Sequence, residues 1–200
     1  MCVIKANRFW IAHIYPSLLN KQRGFMQLGQ WRCPLSLGRS GVRFHKREGD
    51  GATPICDLRP VRAYFRPDKR RSFSPQQLTW QFIRKSDGWC DSSQHRSYNK
   101  LIKKPFLDSY EELWRADSLY DVVIETDWNK LPRKKGLGSA IFIHFQRPDK
   151  GPTAGCLAFD SRSLRCLLQK IDKIHAFRIH PAGRKPIKTK NLSSFNDVRK

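Results

Sequence analysis

The sequence predicts a mainly β domain with one or two short helices. Apolar runs such as "LYDVVIET" and "SAIFIHF" are short and rich in β-branched and aromatic residues. Turn formers such as Asp50-Gly51 separate segments of this kind. Helical spacing is confined to two segments, 108–120 and 160–174. A chain of 200 residues with 39% hydrophobic and 12% aromatic content can bury a core as one domain with flexible ends.

The elements follow in order. Residues 1–24 combine early positive charge with a short apolar patch. They also contain His13 and Pro16 and lack a small-residue cleavage site. They are expected to be peripheral, a degenerate export signal at most. Residues 25–180 are expected to form the domain, and 181–200 a basic, flexible tail. Within the domain, "KREGDGATP" is expected to make a tight hairpin turn at Asp50-Gly51. "DLRPVRAYF" reads as a half-exposed strand whose Pro60 suits a strand start or an edge. "SDGWCDSSQHRSYNKLIKKP" is rich in polar turn formers and aromatics, and reads as a surface loop or cap. "DSYEELWRADSLY" offers a polar start at Asp108 or Ser109 and acids in its first turn, a helix whose surface Glu111, Glu112 and Asp117 would serve. "LYDVVIET" is a strand. "SAIFIHF" alternates Ala140, Phe142 and His144 against Ile141, Ile143 and Phe145. Both faces are apolar, so this strand should be central. A second helix is expected from a cap at Asp160, with Leu164, Leu167, Leu168 and Ile171 on one stripe. "AFRIHP" reads as a last strand.

Composition excludes several function classes. No segment approaches the roughly 20 apolar residues of a membrane span. The six cysteines contain no CxxC, so a zinc ribbon or a thioredoxin-like site is unsupported, and no metal or cofactor is implied. Cys90 and His95 lack metal or triad spacing. "GLGSA" lacks the full glycine pattern and precedes a strand, which argues against nucleotide binding. The net charge of +22 favours polyanions in general, without a reading motif for a specific nucleic acid.

The chemistry concentrates in "GSAIFIHFQRPDKGPTAGCLAF", residues 138–159. His144 ends the strongest strand, and Cys156 follows a small-residue loop. A free thiol titrates near ~8.5, so lowering it by about two units needs roughly 2.7 kcal/mol of preferential thiolate stabilisation. An imidazolium or backbone N–H groups at a turn or helix start can supply part of that. Gly155 lets a carbonyl approach closely, and the N–H groups of Gly155 and Cys156 can face a developing oxyanion. Thr153 or a backbone carbonyl can hold the histidine ring. On the residues alone, a catalytic pair stands beside a hydrogen-bonded core histidine and a buried cysteine.

The stretch resembles the signature of L,D-transpeptidases of the YkuD (ErfK/YbiS/YcfS/YnhG) type, which have a histidine on a strand, a loop, and a Ser/Thr-x-Gly-Cys segment. His144 and Thr153, Ala154, Gly155, Cys156 match it, and "GSAIFIH…RP…PTAGC" looks like a proteobacterial subfamily. "LGRSGVRFHKREGDGATP", "YFRPDKR", "DGWCDSSQHRSYNK" and "ELWRADSLYDVVIETDWN" resemble further family blocks, so the likeness covers about residues 29 to 180. It implies an L,D-transpeptidase-like β-sandwich or barrel acting on peptidoglycan stem peptides, both donor and acceptor, in the periplasm or cell wall. Cys156 would attack the carbonyl of the diaminoacid before a terminal D-amino acid. His144 would be the base in a thiolate–imidazolium pair, Gly155 and Cys156 the oxyanion site, and Thr153 the group that positions the histidine. Trp89, Tyr98 and Asn99 resemble a block near the substrate groove, with a structural cap as the alternative. The chain departs from the family at Ala154, where many members have histidine, and in "CLAF", which lacks the usual polar residue. Arg147 is the candidate replacement anchor. Cys56 stands where glycine is usual and would be strained if the backbone there needed φ > 0. A hydrolytic or inactive relative and a basic nucleic-acid-binding domain are the competing readings.

Overall fold

The computed structural model describes residues 10–69 and 75–188. The first half holds β1 (Trp10–Pro16), β2 (Arg23–Leu28), β3 (Trp31–Ser36), β4 (Val42–Arg43), β5 (Thr53–Pro54), β6 (Asp57–Leu58), β7 (Pro60–Phe65), β8 (Trp80–Phe82) and β9 (Asp87–Cys90). The second half adds β10 (Leu101–Lys103), β11 (Tyr110–Glu112), β12 (Val122–Thr126), β13 (Phe142–Phe145), β14 (Leu157–Phe159), helix α1 (Ser161–Leu168) and β15 (Ile174–Ile179). Ten strands form one curled sheet in the order β6-β15-β1-β2-β3-β14-β13-β12-β7-β8. A three-stranded sheet, β10-β9-β11, and a parallel pair, β4-β5, complete the mainly β fold.

The period-two pattern of "SAIFIHF" determines the layering. Strand β13 is central, antiparallel to β12 and parallel to β14. Ile141, Ile143 and Phe145 join the larger core, which includes Leu157, Phe159 and the α1 residues Leu164, Leu167 and Leu168. Ala140, Phe142 and Cys156 face a second cluster with Tyr64, Trp89, Tyr120 and Val123. Helix α1 begins where its cap predicts: the Asp160 carboxylate accepts the Ser163 N–H at 2.9 Å. Its buried leucines contribute about 1.5–3 kcal/mol each through burial.

Four expectations need correction. Residues 10–16 are not peripheral, although the turn at 17–22 that follows is exposed at residues 18–21. Strand β1 lies between β15 and β2, with Ala12 and Ile14 fully buried. Its alternation of Ala12 and Ile14 against Ile11 and His13 is a strand pattern. The export-signal reading of residues 1–9 lies outside the described residues. Segment 108–120 is not helical. Strand β11 pairs antiparallel with β9, which makes Glu111 a strand residue facing inward. The Asp50-Gly51 turn exists, with Gly51 at φ +66°, but it joins a parallel pair and not a hairpin. Part of the tail is docked: Ile187 N–H donates to the Tyr15 hydroxyl at 3.1 Å and its carbonyl accepts from Gln27 Nε2 at 3.0 Å.

Candidate active site

His144 and Cys156 reach one cavity because β13 and β14 run side by side and parallel. His144 is in register with Ala158, two residues past the cysteine. The loop before Cys156 is stitched to the chain around Gly38. Thr153 N–H donates to the Leu37 carbonyl, and Arg39 N–H donates to the Thr153 carbonyl, both at 2.9 Å. Gly155 adopts φ +144°, and a Cβ there would stand 2.7 Å from the Ala52 carbonyl oxygen. Glycine is therefore required by both conformation and space.

The thiol of Cys156 lies in a fixed cradle. Its S–H donates to the Ala140 carbonyl at 3.0 Å, and Phe142 N–H donates to Sγ at 3.3 Å. Burial pushes the thiol up to about 12, and the negative charge of Glu111 acts in the same direction; the Phe142 N–H and Lys46 oppose them. Burial presses His144 down to about 4, against its hydrogen bond to the Phe145 carbonyl. That bond, at 2.7 Å, joins Nδ1 to a group that can only accept, so Nδ1 carries the proton and Nε2 keeps its lone pair. Both shifts favour a thiol and a neutral imidazole over the thiolate–imidazolium pair that the resemblance implies. Helix α1 gives no help to the sulfur, since β14 carries the chain about 10 Å onward before the helix starts.

Thr153 does not touch His144. Its hydroxyl donates to the Cys156 carbonyl at 2.8 Å and accepts the Gly155 N–H at 3.1 Å, so it shapes the turn that presents the cysteine. The Gly155 N–H is thereby committed to Thr153 and does not face an oxyanion. The ring of His144 is held instead by the Phe145 carbonyl and by Tyr120, edge-on at 5.0 Å.

A cavity of about 490 Å³ opens over the pair. Arg147 lines it, with its guanidinium 3.2 Å from Asp149. Trp89, Tyr98 and Asn99 do not line it; they support it. Trp89 packs edge-on against Phe142 at 5.0 Å and donates Nε1–H to the side-chain oxygen Oδ1 of Asn99 at 2.9 Å. That same oxygen accepts Ala140 N–H at 3.1 Å and fixes Ala140 at φ +50°, with its carbonyl on the thiol. Tyr98 accepts the Gly138 N–H at 3.0 Å and donates to Glu48. The residues after Cys156, "LAF", are the buried strand β14, and the charged residues that line the cavity beside Arg147 include Arg39, Lys46, Glu48, Glu111 and Arg115. Sequence reasoning missed these because they are scattered along the chain. The alternation in "SYEEL" was the available signal for Glu111.

Cys56 has no positive φ, so no strain arises there. Cys90 Sγ lies 4.0 Å from His95 Nδ1, but that nitrogen already accepts the Ser97 N–H at 3.0 Å and cannot serve the thiol as a base. The five cysteines among the described residues are free thiols. Among the described residues, no group of three or more His, Cys, Asp or Glu could hold a metal, and no helix is long and apolar enough to cross a membrane. The chain matches the family model YkuD, described as the L,D-transpeptidase catalytic domain, over residues 18–185. No curated protein and no solved structure matches it.

Proposed function

This chain belongs to the family of L,D-transpeptidase catalytic domains, and on that premise we propose that it acts on peptidoglycan stem peptides through a Cys156 thioester, forming cross-links or exchanging or removing the terminal D-amino acid. The observation that carries the reading is the cavity that His144 on β13 and Cys156, in the turn before the parallel β14, share, with Nε2 of the histidine unprotonated.

In this mechanism Cys156 Sγ attacks the carbonyl of the diaminoacid preceding the terminal D-amino acid, and the thiol proton passes to His144 Nε2. Because burial favours a neutral pair, the transfer accompanies attack and does not precede it. The imidazolium returns the proton to the departing D-amino acid, leaving a thioester. An acceptor amine then attacks the thioester, loses its proton to Nε2, and restores the thiol. The Cys156 N–H is the proposed oxyanion donor, while Gly155 and Thr153 hold the turn that aims it. Arg147, at the cavity rim, is the proposed contact for the carboxylate of the leaving group. Peptidoglycan lies outside the cytoplasm, so the proposed place of action is the periplasm or cell wall.

A carbapenem tests this reading by acylating the nucleophile. The expected result is a single adduct on Cys156 by peptide-resolved mass spectrometry and none in Cys156→Ala. Equal labelling of the alanine variant removes Cys156 from the mechanism.

A further inference from the structure

Glu111 is a carboxylate with an unusual place. It sits on β11, half-buried, and lines the same cavity as Cys156 and His144. Tyr120 donates its hydroxyl to it, and the Tyr120 ring packs edge-on against His144. Among the described residues Glu111 makes no ion pair. The nearby guanidinium of Arg115 is directed to Asp117, with Nε 2.9 Å from its carboxylate. Lys46, on the other side, is paired with Asp50 at 2.8 Å. Two further acids, Glu48 and Asp91, line the cavity and repel Glu111. The cysteine thus shares the cavity with three acids that make no ion pair among the described residues, of which Glu111 is the one that acts on the thiol; burial raises the Glu111 carboxyl, and the Tyr120 hydroxyl and Arg115 oppose that.

We propose that Glu111 is a specificity-determining residue that seats a ligand ammonium group beside Cys156 and so releases the cysteine for attack. The proposal rests on the reading of the chain as a stem-peptide acyltransferase. An ammonium on Glu111 cancels the negative charge that opposes formation of a second negative charge on sulfur. The thiol proton then moves more readily to His144 Nε2, whose own surroundings include Arg115 and Asp117. A ligand lacking a cation at that position leaves the charge in place and the thiol closed. The cavity would therefore select donor peptides with a free side-chain amine, and would tie recognition to activation.

The test is alkylation of Cys156 by iodoacetamide, in which sulfur displaces iodide and the thiol proton is lost. It is followed by peptide-resolved mass spectrometry on the full chain between about pH 6 and 9, the range around an ordinary thiol. Glu111→Gln should react about three- to tenfold faster than wild type at a fixed pH, since loss of the charge raises the thiolate fraction and slightly lowers its nucleophilicity. Glu111→Asp, which keeps the charge, should stay near the wild-type rate. A second measurement needs no variant to fold: n-butylammonium chloride, compared with sodium chloride at equal ionic strength, should accelerate alkylation of the wild type. Equal or slower alkylation of a folded Glu111→Gln overturns the proposal, and so does a wild-type rate indifferent to butylammonium. A carbapenem adduct combined with either result leaves the transpeptidase reading intact and removes only the role of Glu111.

Discussion

At the scale of single residues, burial disfavours the charged forms of both His144 and Cys156, and both shifts have consequences for stability. An unfolded histidine takes up a proton below about 6.5, whereas the folded one waits until about 4. Between those values the unfolded state binds more protons, so stability falls as pH drops through that window. Replacing His144 by glutamine removes the titration and can keep the hydrogen bond to the Phe145 carbonyl. Chemical denaturation at pH 7 and pH 4.5 should show wild type losing about 2–3 kcal/mol more than His144→Gln; equal losses contradict a buried neutral imidazole. Among the residues read as substrate contacts, Asn99 has a positioning role. One side-chain oxygen takes both Trp89 and Ala140, and Ala140 takes the thiol. This relay joins residues 89, 99, 140 and 156, and no local pattern in the chain announces it.

At the scale of elements, the strand that carries the histidine and the turn that carries the cysteine were legible for different reasons. Strand β13 declares itself because a seven-residue alternation has only one consistent burial, and the two faces of "SAIFIHF" do enter two different clusters. Helix α1 is legible from Asp160 and its leucine stripe. Segment 108–120 misleads because Asp108, Ser109, Glu111 and Glu112 imitate a capped first turn. Pairing with β9 overrides that local preference. Strand β1 is hidden by its charged, exposed-looking surroundings, and its parallel partner β15 lies at the other end of the chain. The turn at Thr153–Cys156 offers the sharpest test at this scale. A methyl group at Gly155 must adopt φ +144° and meet the Ala52 carbonyl oxygen at 2.7 Å, which forces backbone to move. Gly155→Ala should therefore lower stability by about 2 kcal/mol or more in urea unfolding. A variant as stable as wild type contradicts the stitched turn.

At the scale of the whole molecule, a curled ten-stranded sheet brings His144 on β13 and Cys156, just before β14, to one cavity, and a smaller sheet carrying Glu111 lines it from the other side. The charge of +22 gives this body a general attraction to polyanions, screened within a Debye length of about 8 Å at physiological salt. In the cavity both signs of charge meet around one thiol. The central claim is that Cys156 takes the acyl group of a stem peptide. Its most direct test is intact-mass spectrometry of the protein mixed with a stem tetrapeptide ending in a D-amino acid, with the small products analysed in parallel. The expected result is a transient gain in mass equal to the peptide without its terminal D-amino acid, located on Cys156 and absent from Cys156→Ala, with release of that amino acid. Turnover of the peptide by Cys156→Ala, or release of the amino acid by wild type with no acyl group ever on Cys156, contradicts it.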